Sequence, residues 1–169
     1  MKKILLSTLL LQPLFATEQE KIGDALLVLI PSITLGTSLY YDNQEGQNQW
    51  YKSFATNALV TYGLKYGVKR ERPNHEDNHS FPSGHTSATF QSASFIHKRY
   101  GLKYAIPAYI GATFVGYSRV HANKHYTSDI IAGAVIGSLS SFYFTTHKNF
   151  KITPIFLGLG YGVGIKKTW

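Results

Sequence analysis

Three stretches of the chain, beginning near Ala25, Tyr104 and Ile130, run without a charged residue for about 15 to 18 positions and are dotted with Gly, Ser and Thr. That length sits at the lower limit for a helix crossing a bilayer. The small polar residues suit helices packed closely inside a membrane or buried in a soluble bundle, and the pattern leaves both open. The first run, Asp24 to Tyr41, is broken by Pro31 and Gly36, and a polar loop from Asp42 to Asn48 follows. Trp50 to Val68 then repeats Phe54, Ala55, Leu59, Tyr62 and Tyr66 at helical spacing, which reads as a core-facing stripe. Ser83 to Arg99, Lys103 to Ser118 and Ser128 to Thr146 are three more helices, with Ser83 and Ser128 suited as N-caps. The expectation is an all-α fold, a helical bundle.

The two ends differ from this middle. Met1, Lys2 and Lys3, then the apolar run Ile4 to Leu11, then Pro13-Leu14-Phe15-Ala16, have the layout of a secretory signal peptide over residues 1–16. Such an export signal places the rest of the chain, residues 17–149, in the periplasm or on the periplasmic face of a bacterial inner membrane. Residues 150–169 alternate glycine with apolar residues, as in Leu157 to Ile165, and end in Lys166, Lys167 and Trp169. Each glycine weakens a helix by about 1 kcal/mol. A short Gly-rich extended tail or hairpin is expected there.

Charge and composition narrow the chemistry. The 169 residues carry 17 Lys and Arg against 9 Asp and Glu, a formal net charge of +8, which fits an anionic partner. Cysteine is absent, so thiolate metal sites, disulfides and thiol catalysis are excluded. Tyr and Phe follow helical spacing and form no base-stacking platform, so no nucleic acid is expected as a partner.

Three clusters carry the candidate chemistry: Lys65 with Arg72-Pro73, then Pro82-Ser83-Gly84-His85, then Ser118-Arg119 with His125 and Asp129. Phosphoryl transfer spreads negative charge over equatorial oxygens, so cations and backbone N–H donors must surround the transferring group. Lys65, Arg72 and Arg119 can form that clamp, and Ser83 and Gly84, at a helix start, can aim amides at an anion. His125 and Asp129 are four apart, so in a first helical turn the carboxylate can reach one ring nitrogen and leave the other free to attack. His85, one residue after Gly84, would face the same anion and protonate the departing oxygen. Lys69, Arg70 and Glu71 read as a solvated basic loop. His75 and His79, with His85, Glu76 and Asp77, fit no helix or strand face as a metal cluster, and His97, His121 and His147 read as histidines without a role.

The eleven residues of these clusters are similar to the three-part signature of the type 2 phosphatidic acid phosphatase superfamily, which includes lipid phosphate phosphatases, bacterial class A acid phosphatases and vanadium haloperoxidases. The resemblance runs from Lys65 to Asp129. It implies a helical bundle, a phosphohistidine intermediate on His125 oriented by Asp129, and His85 acting first as general acid and then as base for water. It also implies phosphate binding by Lys65, Arg72, Ser83, Gly84 and Arg119, with no metal ion and no cofactor. The expected substrate is a phosphorylated lipid or a small phosphoester. A lipid-linked phosphate at a membrane is favoured because apolar helices flank the site. A soluble periplasmic acid phosphatase of broad specificity and a non-catalytic phosphate-ligand-binding envelope protein are the rival readings.

Overall fold

A computed structural model describes the backbone of residues 2–148, 150–157 and 160–167 and the side chains of residues 18–148. Five helices follow one another: α1 Lys2–Tyr41, α2 Gln44–Val68, α3 Gly84–Tyr100, α4 Leu102–His121 and α5 Thr127–Phe144. The strands β1 Phe150–Leu157 and β2 Gly160–Lys167 then pair antiparallel, with Ile152 opposite Ile165. The expected export segment, residues 1–16, and the side chains of the Gly-rich tail lie outside the described side chains.

The helices are those the sequence predicts, with shifted ends. Helix α1 runs through Pro31 and Gly36 without a break, and α4 runs through Pro107. Neighbouring helices compensate such interruptions where the backbone is shielded from water. The expected loop Asp42 to Asn48 shrinks to two residues, because Asn43 caps α2 by accepting from the Gly46 amide. Ser83 caps α3 as expected. Ser128 caps nothing: α5 starts one residue earlier, and its first turn is held by the Asp129 carboxylate, which accepts from the Tyr126 amide at 2.9 Å.

Helix α3 is the axis of the bundle and packs against all four other helices. Its buried face is polar: Thr86, Ser87, Thr89, Gln91, Ser92 and Ser94 are shut away from solvent. Every fourth residue of α2 answers them, Ser53, Asn57, Thr61 and Lys65 all pointing inward. Thr61 and Ser87 share a hydroxyl hydrogen bond of 2.8 Å, Gln91 donates to Ser53 at 2.8 Å, and Ser141 of α5 donates to the Gln91 carbonyl at 2.6 Å. Paired with one another, such hydroxyls and amides fit an interior that bulky side chains would push apart, although the buried Asn57 Oδ1 finds no partner.

The expected core stripe of α2 is therefore turned outward. Leu59 is 75% exposed and Tyr66 61%, and Val28, Ile33, Ile110, Ile131 and Leu139 are similarly bare. Small polar residues inside and large apolar ones outside invert the soluble pattern, in which contiguous exposed apolar surface is rare. The same arrangement suits helices solvated by lipid. Among the described residues, the stretch Glu18–Tyr41 is long and apolar enough to cross a membrane by itself.

Close packing makes a checkable demand. A Cβ at Gly137 would stand 2.2 Å from the Ser87 carbonyl oxygen, whereas one at Gly36 would meet nothing within 4 Å. Gly137→Ala should lower thermal stability by about 1–3 kcal/mol. Gly36→Ala should stay within about 0.5 kcal/mol of wild type. Detergent-solubilised melts of the two variants check the contrast.

Candidate active site

The chemistry-bearing residues gather at one end of the bundle, around a cavity of about 700 Å³. Lys65 comes from the last turn of α2, Arg72 from the 69–83 loop, Gly84 and His85 from the first turn of α3, Arg119 from the last turn of α4, and His125 from the turn into α5. Leu27, Phe54, Ala58 and Tyr62 of α1 and α2 add apolar side chains to the same lining.

Local backbone structure aims each group. The 69–83 loop folds back on itself, with the Arg72 amide donating to the Asp77 carbonyl and the Ser80 amide to the Arg70 carbonyl. Asn123 takes a left-handed conformation, φ 55°, and so turns the chain after α4, where the Lys124 and His125 amides both donate to the Arg119 carbonyl. The nucleophile candidate and one cation are thereby fixed to the same helix end.

Lys65 is almost fully buried and donates to two backbone carbonyls, His79 at 2.6 Å and Pro82 at 2.9 Å. An ammonium has three protons, so one remains for a ligand. Arg72 donates from Nε to Asp77 at 2.7 Å and from Nη1 to the Lys124 carbonyl at 3.1 Å, and Nη1 stands 3.4 Å from His125 Nε2. A guanidinium has no acceptor, so Nε2 meets it with a lone pair and the ring proton belongs on Nδ1. The nitrogen facing the cations is then the one able to attack phosphorus. Burial first, then Arg72 and Lys65, push the His125 pKa well below its ordinary 6.5, against opposing effects of the Ser80 backbone and Asp129. The imidazole therefore stays neutral through mildly acidic pH.

Two expectations are corrected in detail. Asp129 is fully buried behind His125, but its Oδ2 stands 3.7 Å from Nδ1, and Nδ1 makes no hydrogen bond of normal geometry. The carboxylate instead accepts from Ser80 Oγ at 2.5 Å, from the Tyr126 amide and from Arg70 Nη1 at 2.8 Å. Ser83 is fully buried as well, and its amide donates to the Asp129 carbonyl at 3.0 Å. The helix-start donors left for an anion are the amides of Gly84 and His85.

Arg70 is the clearest omission of the sequence reading, which took it as a solvated charge. Its guanidinium bonds Ser128 and Asp129 and lies 4.1 Å over the Tyr126 ring, so it neutralises the buried carboxylate. Asp24 and Glu20 of α1 are the others. Both line the cavity, and Asp24 Oδ1 lies 3.0 Å from His85 Nε2 and 2.9 Å from Arg119 Nη1. Arg119 also donates to the Glu20 carbonyl at 2.7 Å. No sequence spacing connects α1 with these partners, which lie 61 and more residues away. His75 pairs with Glu71 and His79 stands beside Asp77; among the described residues no group of three or more His, Cys, Asp or Glu is placed to hold a metal ion.

Residues 51–152 match the family model for the PAP2 superfamily. The chain belongs to that superfamily. A lipid A 4'-phosphatase of Helicobacter pylori is 31% identical over 174 residues, covering 89% of this chain and 85% of that protein. A lipid A 1-phosphatase of Porphyromonas gingivalis is 40% identical over 100 residues, covering 53% of this chain, and this match spans only 22% of that protein's length. The crystal structure of Aquifex aeolicus LpxE superposes with a TM-score of 0.63 at 22% identity, over 80% of this chain and 85% of that one, and shares the helical fold.

In this PAP2 protein the electrostatics of the site set a pH window. An imidazole at His125 that attacked phosphorus would have to be neutral, so on that role the acid limb of kcat/KM should fall well below pH 6.5, and a pH–rate profile checks it. Arg70→Gln, which strips the partner from Asp129 without touching the cavity lining, should cut kcat about tenfold or more and change KM little.

Proposed function

We propose that the protein is a membrane-associated phosphatase that cleaves phosphate from a lipid-linked phosphomonoester or pyrophosphate through a phosphohistidine on His125. The carrying observation is that His125 Nε2 stands 3.4 Å from Arg72 in a cavity shared by Lys65, Arg119 and His85 and lined also by apolar residues of α1 and α2. Family membership and the lipid A phosphatase relatives support the reaction class, and the inverted burial of the helices supports the membrane.

Each residue has a part in two displacements. Lys65, Arg72, Arg119 and the Gly84 and His85 amides hold the phosphoryl oxygens and neutralise the charge that grows on them. Nε2 of His125 attacks phosphorus as the ester oxygen departs, and His85 gives that oxygen its proton. Water then attacks the phosphohistidine, His85 takes the water proton, and His125 leaves as neutral imidazole with inorganic phosphate formed. Arg70 pairs with the Asp129 carboxylate behind the ring that becomes cationic in the first step. The three cations supply the positive charge, so the proposed reaction uses no metal.

A lipid phosphate fits the cavity because its lining holds both cations and apolar side chains. The phosphate would lie among the cations, while Leu27, Phe54 and Ala58 offer apolar contacts in the same cavity, and other residues of α1 and α2 such as Val28, Leu59 and Tyr66 are exposed. Residues 1–16, read as an export signal, would put this end of the bundle on the periplasmic side.

Phosphate release from lipid phosphates, lipid pyrophosphates and water-soluble esters, with and without chelator, tests the reading. Lipid substrates should turn over in the membrane fraction, chelator should have no effect, and His125→Ala should reduce release to background. His85→Ala should slow alkyl phosphates by about a hundredfold or more and good aryl leaving groups less. Turnover confined to soluble esters would overturn the lipid assignment. Equal release by wild type and His125→Ala would overturn the phosphohistidine.

A further inference from the structure

We propose that Asp24, on α1, is a positioning residue for the proton donor: its carboxylate binds His85 Nε2, anchors that bond on Arg119, and so commits Nδ1 of His85 to exchanging the catalytic proton. The inference rests on the assignment of His85 as general acid and adds to it the group that controls its tautomer.

Geometry carries the argument. One oxygen, Oδ1 of Asp24, lies 3.0 Å from His85 Nε2 and 2.9 Å from Arg119 Nη1. The carboxylate is aimed from both sides, since Arg119 is itself fixed by the Ser118 hydroxyl and the Glu20 carbonyl. Helix α1 is pressed against α4 at this level: a Cβ on Gly23 would stand 2.2 Å from Ser118 Oγ and 2.8 Å from Arg119 Nη2. Asp24 is thus delivered to His85 by tight helix packing rather than by a free side chain reaching across the cavity.

The chemistry follows from what an ionised carboxylate can do, which is only to accept. Nε2 of His85 must therefore carry a hydrogen in both protonation states. In the imidazolium, Nδ1 carries the second proton and gives it to the departing ester oxygen. In the neutral ring that results, Nδ1 holds the lone pair that takes a proton from the attacking water. The same nitrogen serves both steps, and the ring never needs to turn over. This is the arrangement by which a buried carboxylate fixes a catalytic imidazole elsewhere.

Charge works in the same direction. The charged groups and histidines that line the cavity with His85 are Asp24 and Glu20 from α1, Lys65 from α2, Arg72, Glu76 and Asp77 from the 69–83 loop, Arg119 from α4, and Lys124 and His125 from the turn before α5. Arg119 and Arg72 oppose an imidazolium at His85, and the Asp24 carboxylate in hydrogen-bond contact works against them.

Asp24→Asn in the full-length, membrane-extracted protein provides the test, with Asp24→Glu as the conservative variant. The alkaline limb of the kcat/KM profile should move down by about one pH unit or more in Asp24→Asn. Its kcat should fall about tenfold or more for alkyl phosphates, far less for good aryl leaving groups, and KM should stay near wild type. Asp24→Glu should restore part of the alkaline limb. An independent reading comes from ¹⁵N-histidine spectra, in which His85 should titrate at lower pH in Asp24→Asn and lose its fixed Nε2–H tautomer. An unmoved alkaline limb with an equal rate loss on all substrates would overturn the proposal, as would an unaltered His85 titration. A wild-type protein that releases no phosphate would instead overturn the phosphatase reading, while the spectra still decide whether Asp24 governs His85.

Discussion

The backbone contact between α3 and α5 is what the site depends on. A Cβ on Gly133 would lie 2.6 Å from the Ser83 carbonyl oxygen, and one on Gly137 would lie 2.2 Å from that of Ser87, so the two helices meet main chain to main chain. That contact sets their N-termini side by side, and the Ser83 amide closes it by donating to the Asp129 carbonyl at 3.0 Å. His85, at the start of α3, and His125, just before α5, are brought to one cavity by this pairing. Bulky residues at the two glycines would separate the helix starts and with them the two imidazoles. The polar face of α3 follows from the same requirement, because only small side chains allow such approach, and small side chains that are also polar can bond to one another across it.

A second buried ionic cluster sits at the far end of α1. Asp42, fully buried, receives Arg99 at 3.1 Å, Lys148 at 2.7 Å and the Tyr100 hydroxyl at 2.7 Å, and Lys148 also donates to the Tyr41 carbonyl. Eighteen residues separate Asp24 from Asp42, and at 1.5 Å per residue that is about 27 Å of helix, close to the roughly 30 Å hydrocarbon thickness of a bilayer. Charged clusters at both ends and apolar side chains around the waist are the distribution expected of a bundle seated in a membrane. One cluster binds the ends of α1, α3 and the chain after α5 together, and the other is open to a ligand. The difference between them is the cavity.

The helices and the cations were legible in the sequence because each has a local signal, a periodicity or a spacing within one cluster. What faces inward was not. The stripe of Phe54, Leu59, Tyr62 and Tyr66 reads as core under a rule that assumes water outside, and the structure turns Leu59, Tyr62 and Tyr66 outward because the interior is filled by Ser53, Asn57, Thr61 and Lys65. Arg70 gave no signal because one charge among Lys69, Glu71 and Arg72 looks solvated until Asp129, 59 residues on, is folded beneath it. Asp24 was invisible for the same reason across 61 residues. Ser128 is not a cap because α5 already begins at Thr127, with Tyr126 in the cap position and its amide held by the Asp129 carboxylate.

The carboxylates around the site differ in what an arriving phosphate can do to them. Asp77 and Glu76 are half exposed, and contacts with Arg72 and Lys124 respectively hold their carboxyls below the usual range. Each can turn into water when a dianion takes its cation, at little cost in solvation. Asp129 cannot, because it is fully enclosed, and without Arg70 it would be a buried unpaired charge. It therefore stays behind the His125 ring, where in the proposed reaction it would face an imidazole made positive by the bond from Nε2 to phosphorus. A phosphate that draws on Arg72 Nε has to displace Asp77, and one that draws on Lys124 has to displace Glu76, so the resting pairs compete with an arriving anion.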